Sequence, residues 1–154
     1  MKILLLSLFL FVGITVIAQT SFEKAMTEKV AQVEQQKTSD EFTALANDFK
    51  RIGDKEKTQW LPYYYAAFST IQKGRLAMRD GKMAELDAIA AEAQKSLDLA
   101  LNLNKDNAEN LILQKMIHSL KMMVDPQSRF MSEGMLAKEA LEKAEKADPT
   151  NPRI

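Results

Sequence analysis

Apolar residues recur at spacings of three and four positions along most of the chain after its first eighteen residues, which is the pattern of amphipathic helices. The clearest example lies between Lys82 and Leu103. No segment shows the apolar and polar alternation that marks a convincing strand. The pattern therefore predicts an all-α fold of about six helices. The apolar stripe between Lys82 and Leu103 consists of Leu86, Ile89, Ala90, Ala93, Leu97, Ala100 and Leu101.

Capping signals divide these stripes into separate helices. Capping boxes at Thr20 to Glu23 and at Thr38 to Glu41 predict the first two helix starts, and Asp106-Asn107 predicts the fifth. Gly53 and Asp80-Gly81 are expected to end the second and third helices. Because the connections are short, we expect neighbouring helices to pair antiparallel and to stack as three hairpins.

The first eighteen residues have a different pattern, with Lys2 followed by an unbroken run of apolar and small residues. Val16-Ile17-Ala18 has the small residues that a signal peptidase accepts, so we expect a signal peptide at 1–18, cleaved before Gln19. A membrane anchor is the alternative, but the run from Ile3 to Ala18 has 16 residues, fewer than the roughly 20 needed to span a bilayer. The prediction is an exported protein of the periplasm or cell envelope with one helical domain at 19–154, which contacts the membrane only if the signal stays uncleaved.

Two segments of the chain are similar to each other. The segment from Ala93 to Glu109 reads A-x-x-S-L-x-x-A-L-x-L-N-K-D-N-A-E, and the segment from Ala140 to Arg153 reads A-L-x-K-A-x-x-A-D-P-x-N-P-R. Each resembles the second helix and exit turn of a tetratricopeptide repeat, and the aromatic segment from Trp60 to Ala67 resembles the opening helix of such a repeat. The mature chain is thus similar to exported bacterial tetratricopeptide proteins. This resemblance implies a short solenoid of helix hairpins, and it implies no reaction.

The spacing of the repeats departs from the family pattern. Lys105 stands where the exit proline is expected, and it lies 44 residues before Pro149, whereas the family period is about 34. We expect the extra residues between Met122 and Gly134. The last four residues resemble the entry to a further helix, and the apolar inner face of the last helix predicts self-association through this end.

Composition narrows the classes of partner and chemistry. The chain has 21 Lys and Arg residues against 21 Asp and Glu residues, which is not the charge distribution of a nucleic-acid-binding protein. It contains no cysteine, which rules out disulfides, thiol nucleophiles and lipidation at a cysteine. The only histidine, His118, has no carboxylate three or four positions away, so we expect it to be structural and expect no metal, cofactor or catalytic residue.

The most conspicuous candidates for binding are aromatic. Trp60 and Phe68 have the spacing of core residues, whereas the three consecutive tyrosines between them suit the concave groove of a helical repeat that receives a peptide. Arg129 follows Asp125-Pro126 and is interpreted either as part of a helix-start cap with a salt bridge or as a clamp for a ligand carboxylate. The candidate partner-binding residues are Tyr63, Tyr64, Tyr65 and Arg129.

These features predict a non-enzymatic scaffold of the cell envelope that binds a protein or peptide segment. One alternative is a small-ligand-binding protein in which the aromatic residues and Arg129 surround a pocket. Another is a structural subunit of a larger envelope assembly. All three rest on fold analogy and on the absence of a catalytic constellation in the sequence.

Overall fold

The described part of the chain, residues 21–154 of a computed structural model, is helical with no strand, which confirms the all-α prediction. The signal peptide at 1–18, its cleavage site and Thr20 of the first capping box lie outside these residues. Short 3-10 turns occupy Val33–Gln35 and Met83–Glu85, and a π-helical turn occupies Phe130–Gly134. The helices are α1 (21–30), α2 (Ser39–Glu56), α3 (Leu61–Arg79), α4 (Leu86–Leu103), α5 (Ala108–Val124), α6 (Pro126–Arg129) and α7 (Met135–Ala147).

The start of α2 follows the predicted capping box. The Thr38 hydroxyl accepts a hydrogen bond from the Glu41 backbone at 3.2 Å, and the Glu41 carboxylate accepts one from the Thr38 backbone at 2.9 Å. The end of α2 differs from the expectation at Gly53, because the helix continues to Glu56. Lys57 ends it in the left-handed conformation, with φ of 58°, and donates its N–H to the Gly53 carbonyl.

Gly53 instead allows α2 and α3 to pack closely. A Cβ atom added there would lie 2.7 Å from the nearest ring atom of Tyr63. The Tyr63 ring therefore rests directly on the α2 backbone, and its hydroxyl donates to Asp54 at 3.1 Å. This contact is the physical reason for a glycine in the helix interior, where it has low intrinsic propensity.

Each main helix packs on the next one along the chain, from α2 to α5, and α7 packs on α5. Two apolar cores share α3. The larger lies between α3, α4 and α5 and includes the fully buried Leu97, Leu113 and Ile117. The smaller joins α1 and α2 to the opposite side of α3 through residues such as Met26 and Phe49.

The two similar sequence segments have similar backbone geometry where their helices end. Asn104 follows α4 with φ of −150° and ψ of 81°, and Asp148 follows α7 with −148° and 89°. Each donates its N–H to the carbonyl four residues earlier. Asp125 after α5 has nearly the same angles, so this geometry is not specific to the two segments. Membership of the tetratricopeptide family stays a prediction.

The connection between α5 and α7, where the sequence predicts the extra residues, contains α6 and the π-helical turn. The turn ends at Gly134, and α7 begins at the next residue. The inner face of α7 is formed by alanines, which let it approach α5 closely. Among the helices of residues 21–154, none is both long and apolar enough to cross a membrane.

Substitution Gly53→Ala should lower the free energy of unfolding by about 1–2 kcal/mol, because the overpacking cost at Tyr63 exceeds the gain in helix propensity. Urea denaturation followed by circular dichroism measures the difference. In a Tyr63→Ala background, the same substitution should instead stabilise by about 1 kcal/mol, since only the helix propensity then remains. Equal effects of Gly53→Ala in the two backgrounds would contradict the proposed contact.

Candidate functional site

A groove with a volume of about 800 Å³ runs along one side of α3. One wall comes from the end of α1 and the following turn, with Phe42 of α2 beside it. The opposite wall comes from α3, and Arg153 reaches in from the C-terminal segment. The lining residues are Val30, Ala31, Val33, Glu34, Gln36, Phe42, Tyr64, Tyr65, Phe68, Gln72 and Arg153.

The α3 wall is aromatic because helical spacing brings three rings together. Tyr64 and Phe68 are four residues apart, and their rings are nearly parallel, with centroids 6.2 Å apart and an angle of 4°. The Tyr65 ring meets Tyr64 edge-on at 5.1 Å and stacks on Phe49 of α2 at 5.2 Å. These contacts fix the ring orientations, so the wall is formed before any ligand arrives.

Tyr64 contributes a buried, hydrogen-bonded hydroxyl to this wall. The residue is only 5% exposed, and burial raises the pKa of its hydroxyl to about 12. The neutral hydroxyl donates to a Glu109 carboxylate oxygen at 3.1 Å and accepts from the Arg153 guanidinium. Burial also raises the pKa of Tyr65. Both tyrosines therefore present neutral rings to the groove at physiological pH.

The C-terminal segment is held at the groove by Glu109, at the start of α5. Its carboxylate accepts from Asn151 Nδ2 at 2.7 Å and pairs with the Arg153 guanidinium. The guanidinium also lies over the Phe68 ring, 5.9 Å from its centroid, in the arrangement of a cation–π contact. The Arg153 side chain keeps 38% of its surface exposed.

The four residues predicted from the sequence to bind a partner do not lie together in the structure. Tyr64 and Tyr65 line the groove, whereas Tyr63 is buried against Gly53 with its hydroxyl on Asp54. Consecutive residues of a helix point about 100° apart, so three adjacent tyrosines cannot share one surface. Trp60 lies behind the wall, with its ring edge-on to Tyr64 at 5.8 Å.

Arg129 also lies outside the groove. Its two terminal nitrogens donate to the two Asp87 carboxylate oxygens at 2.6 and 2.9 Å, and Nη1 donates to the Lys121 carbonyl at 3.0 Å. This bidentate contact ties α6 to the first turn of α4. Arg129 thus forms its salt bridge with α4 and not across the turn at Asp125, whose carboxylate accepts from the Ser128 backbone N–H instead. A role as a ligand clamp stays a prediction.

Arg153 and Glu109, which the sequence did not indicate, make contacts at the groove. Arg153 bonds to Tyr64, 89 positions away, and to Glu109, 44 positions away. No local spacing brings such residues together. The sequence feature closest to this contact is the similarity of Asn151 to Asn107. Both residues lie in similar turns after a helix, and the side chain of each accepts a backbone N–H.

His118 belongs to a separate polar chain. Its Nδ1 is 2.7 Å from a Glu133 carboxylate oxygen, and its Nε2 is 3.0 Å from the Gln114 amide nitrogen. The carboxylate partner comes from the π-helical turn, 15 positions away, which helical spacing could not show. Within the described residues, no three His, Cys, Asp or Glu side chains are grouped to hold a metal ion.

Comparison with solved structures shows similarity to the HusA haemophore from Porphyromonas gingivalis, with a TM-score of 0.75 and 32% sequence identity. The match covers 86% of this chain and 63% of HusA, so the chain spans less than two thirds of that protein. No protein-family model matches the sequence, and a search of curated proteins gives no match. The helical fold is thus shared with a protein described as a haemophore.

Substitution Asp87→Asn should lower the free energy of unfolding at pH 7 by about 1 kcal/mol, because it removes a bidentate, partly exposed ion pair. The hydrogen bonds from Arg129 hold the pKa of Asp87 below its ordinary value of 3.8. A depressed pKa contributes stability above the ordinary value, and this contribution is lost as the pH falls through the lower folded-state pKa. The wild type and the variant should therefore converge below pH 3.8.

Urea denaturation at several pH values measures this convergence. Asp98→Asn is the matched control, since Asp98 lies on the same helix and, among residues 21–154, accepts only from the Gln94 amide. A difference between the wild type and Asp87→Asn that stays constant from pH 7 to strongly acidic pH would refute the role given to the ion pair.

Proposed function

We propose that this protein binds a small, planar, amphipathic molecule of the haem and porphyrin class in the groove along α3. The observation that carries the proposal is the prearranged aromatic wall, in a helical fold shared with a haemophore. Small-ligand and cofactor sites typically have volumes of about 300–1,000 Å³, lined mainly by apolar and aromatic side chains with a few polar groups. The groove of about 800 Å³ falls within that range of volumes, and its lining combines aromatic side chains with several polar ones.

The wall supplies the interactions that a flat ring system needs. Tyr65 and Phe68 are half-buried, so part of each side chain remains accessible from the groove. The facing wall adds the aliphatic side chains of Val30 and Val33. A planar macrocycle placed between the walls buries apolar surface on both of its faces, which is the main source of affinity in such sites.

Recognition in this proposal rests on the ring system and its edge groups rather than on a bond to iron. The groove-lining side chains of the described part include no histidine or methionine. The buried Tyr64 hydroxyl stays protonated and is already bonded to Glu109 and Arg153, so it is poorly suited to ligate iron. Metal-free protoporphyrin IX should therefore bind as well as haem does.

Small-ligand binding is better supported than the peptide-binding scaffold that the sequence favoured. Tyr63 and Arg129, which a larger peptide-binding surface was expected to use, make internal contacts instead. The aromatic residues that remain are concentrated around one groove. We propose a non-enzymatic carrier or binding protein that is exported through its N-terminal segment.

Titration with haem and with metal-free protoporphyrin IX should quench the fluorescence of Trp60, the single tryptophan, because it lies directly behind the aromatic wall. Substitution Phe68→Ala should weaken binding of both ligands about tenfold, since a stacked ring contributes on the order of 1–1.5 kcal/mol. Phe68→Leu should recover only part of the loss, because it restores apolar volume without a ring.

Phe130→Ala is the matched control, because Phe130 is 61% exposed and lies outside the groove. Circular dichroism establishes that each variant is folded. Binding that does not respond to Phe68→Ala, or a wild type that binds neither compound at micromolar concentration, would reject the proposed function.

A further inference from the structure

We propose that Arg153 receives a carboxylate of the ligand and that Glu109 acts as a built-in competitor that limits the strength of this contact. The inference rests on the proposed function and deepens it. The groove then selects porphyrins that carry acidic side chains, and Arg153 and Glu109 set this selectivity. Neither residue was among the candidates found in the sequence.

Arg153 is the only cationic side chain among the described residues that line the groove. It lies at one end of the aromatic wall, where its guanidinium covers the Phe68 ring. Because the guanidinium already covers this face of the ring, a porphyrin in the groove would meet it at the edge of the macrocycle and would not stack beneath it. Edge groups are where protoporphyrin IX carries its two carboxylates, so the position suits recognition of a ligand acid.

The guanidinium has unused donors for such a contact. Its bonds to Tyr64 and to Glu109 both come from Nη1. Within residues 21–154, the Nε and Nη2 atoms of Arg153 donate to no other group. A guanidinium carries five N–H donors in a planar fork that matches a carboxylate, so Nε and Nη2 can bind a ligand acid bidentately while Nη1 keeps its present partners.

The polypeptide holds Arg153 in this place. The Asn151 side chain accepts the Arg153 backbone N–H at 2.9 Å and donates to Glu109 at 2.7 Å. The side chain thereby joins the C-terminal turn to the start of α5. Arg153 is thus already positioned at the groove, which reduces the entropy lost when it binds a ligand.

Glu109 opposes ligand binding electrostatically. Its carboxylate already neutralises the guanidinium and would repel a ligand carboxylate at a neighbouring position. Replacing it with glutamine removes the charge but keeps an oxygen that can accept from Asn151. The Glu109→Gln variant should therefore bind acidic ligands more tightly, an effect that a purely structural role for Glu109 does not produce.

The experiment compares metal-free protoporphyrin IX with its dimethyl ester, which has the same ring but no acid. Wild type should bind the diacid more tightly than the diester. Arg153→Gln should weaken diacid binding about fivefold to tenfold, as expected for a partly exposed charge-assisted contact, and should weaken diester binding by a clearly smaller factor, because Arg153 also contacts the Phe68 ring. Arg153→Lys should fall between the two, because it keeps the charge and loses the fork.

Glu109→Gln should strengthen diacid binding about twofold to fivefold without changing diester binding. Arg51→Gln is the matched control, since Arg51 is an exposed arginine on α2 that pairs with Asp48 and lies outside the groove. It should alter neither affinity. Melting temperatures measured without ligand show whether each variant is folded.

The outcomes separate the two proposals. If wild type binds neither compound, the proposed function fails and this inference fails with it. If wild type binds both compounds equally, or if Arg153→Gln weakens both alike, the carboxylate role of Arg153 is overturned and porphyrin binding stands. If Glu109→Gln weakens diacid binding or changes both affinities alike, the competitor role of Glu109 is overturned.

Discussion

The packing of α3 between two apolar cores is the constraint on which the rest of this structure depends. Ala67, Ile71 and Ala77 face the core shared with α4 and α5, whereas Ala66 faces the core shared with α1 and α2. A helix buried on two sides cannot present a simple polar face. Its open side carries Tyr65 and Phe68, followed by Gln72 and the exposed Arg75. The burial of the rest of α3 therefore determines where an aromatic groove can form.

Small residues allow this arrangement. Gly74 brings α3 so close to α5 that an added Cβ would lie 2.8 Å from Leu120, and Gly53 does the same between α2 and Tyr63. The rings of the aromatic wall are oriented by other contacts, those with one another and with Phe49 of α2.

Much of the fold was predictable from the sequence because helix periodicity and capping are local properties. The Thr38 capping box, the Asn107 cap and the helical stripes each depend on residues that are only a few positions apart in the sequence. The end of α2 was misjudged for a tertiary reason, since Gly53 makes room for Tyr63 instead of ending the helix. A packing contact across two helices has no local signature.

The candidate site was only half predictable for the same reason. The aromatic segment of α3 stood out by composition, but which tyrosine faces the groove depends on the angular position of α3 between its neighbours. Arg153 and Glu109 gave no signal, because they are 44 positions apart and meet only where the segment after α7 packs on the start of α5.

Glu109 connects the C-terminal segment to the groove, because its two carboxylate oxygens bind different groups. One carboxylate oxygen accepts from Asn151, and the other accepts from Tyr64 and Arg153. A ligand acid that engages the remaining donors of Arg153 leaves the bonds of Asn151 and Tyr64 to Glu109 in place. The C-terminal segment can therefore stay attached to α5 when an acid binds to Arg153, even though the charge that holds the segment also weakens that binding.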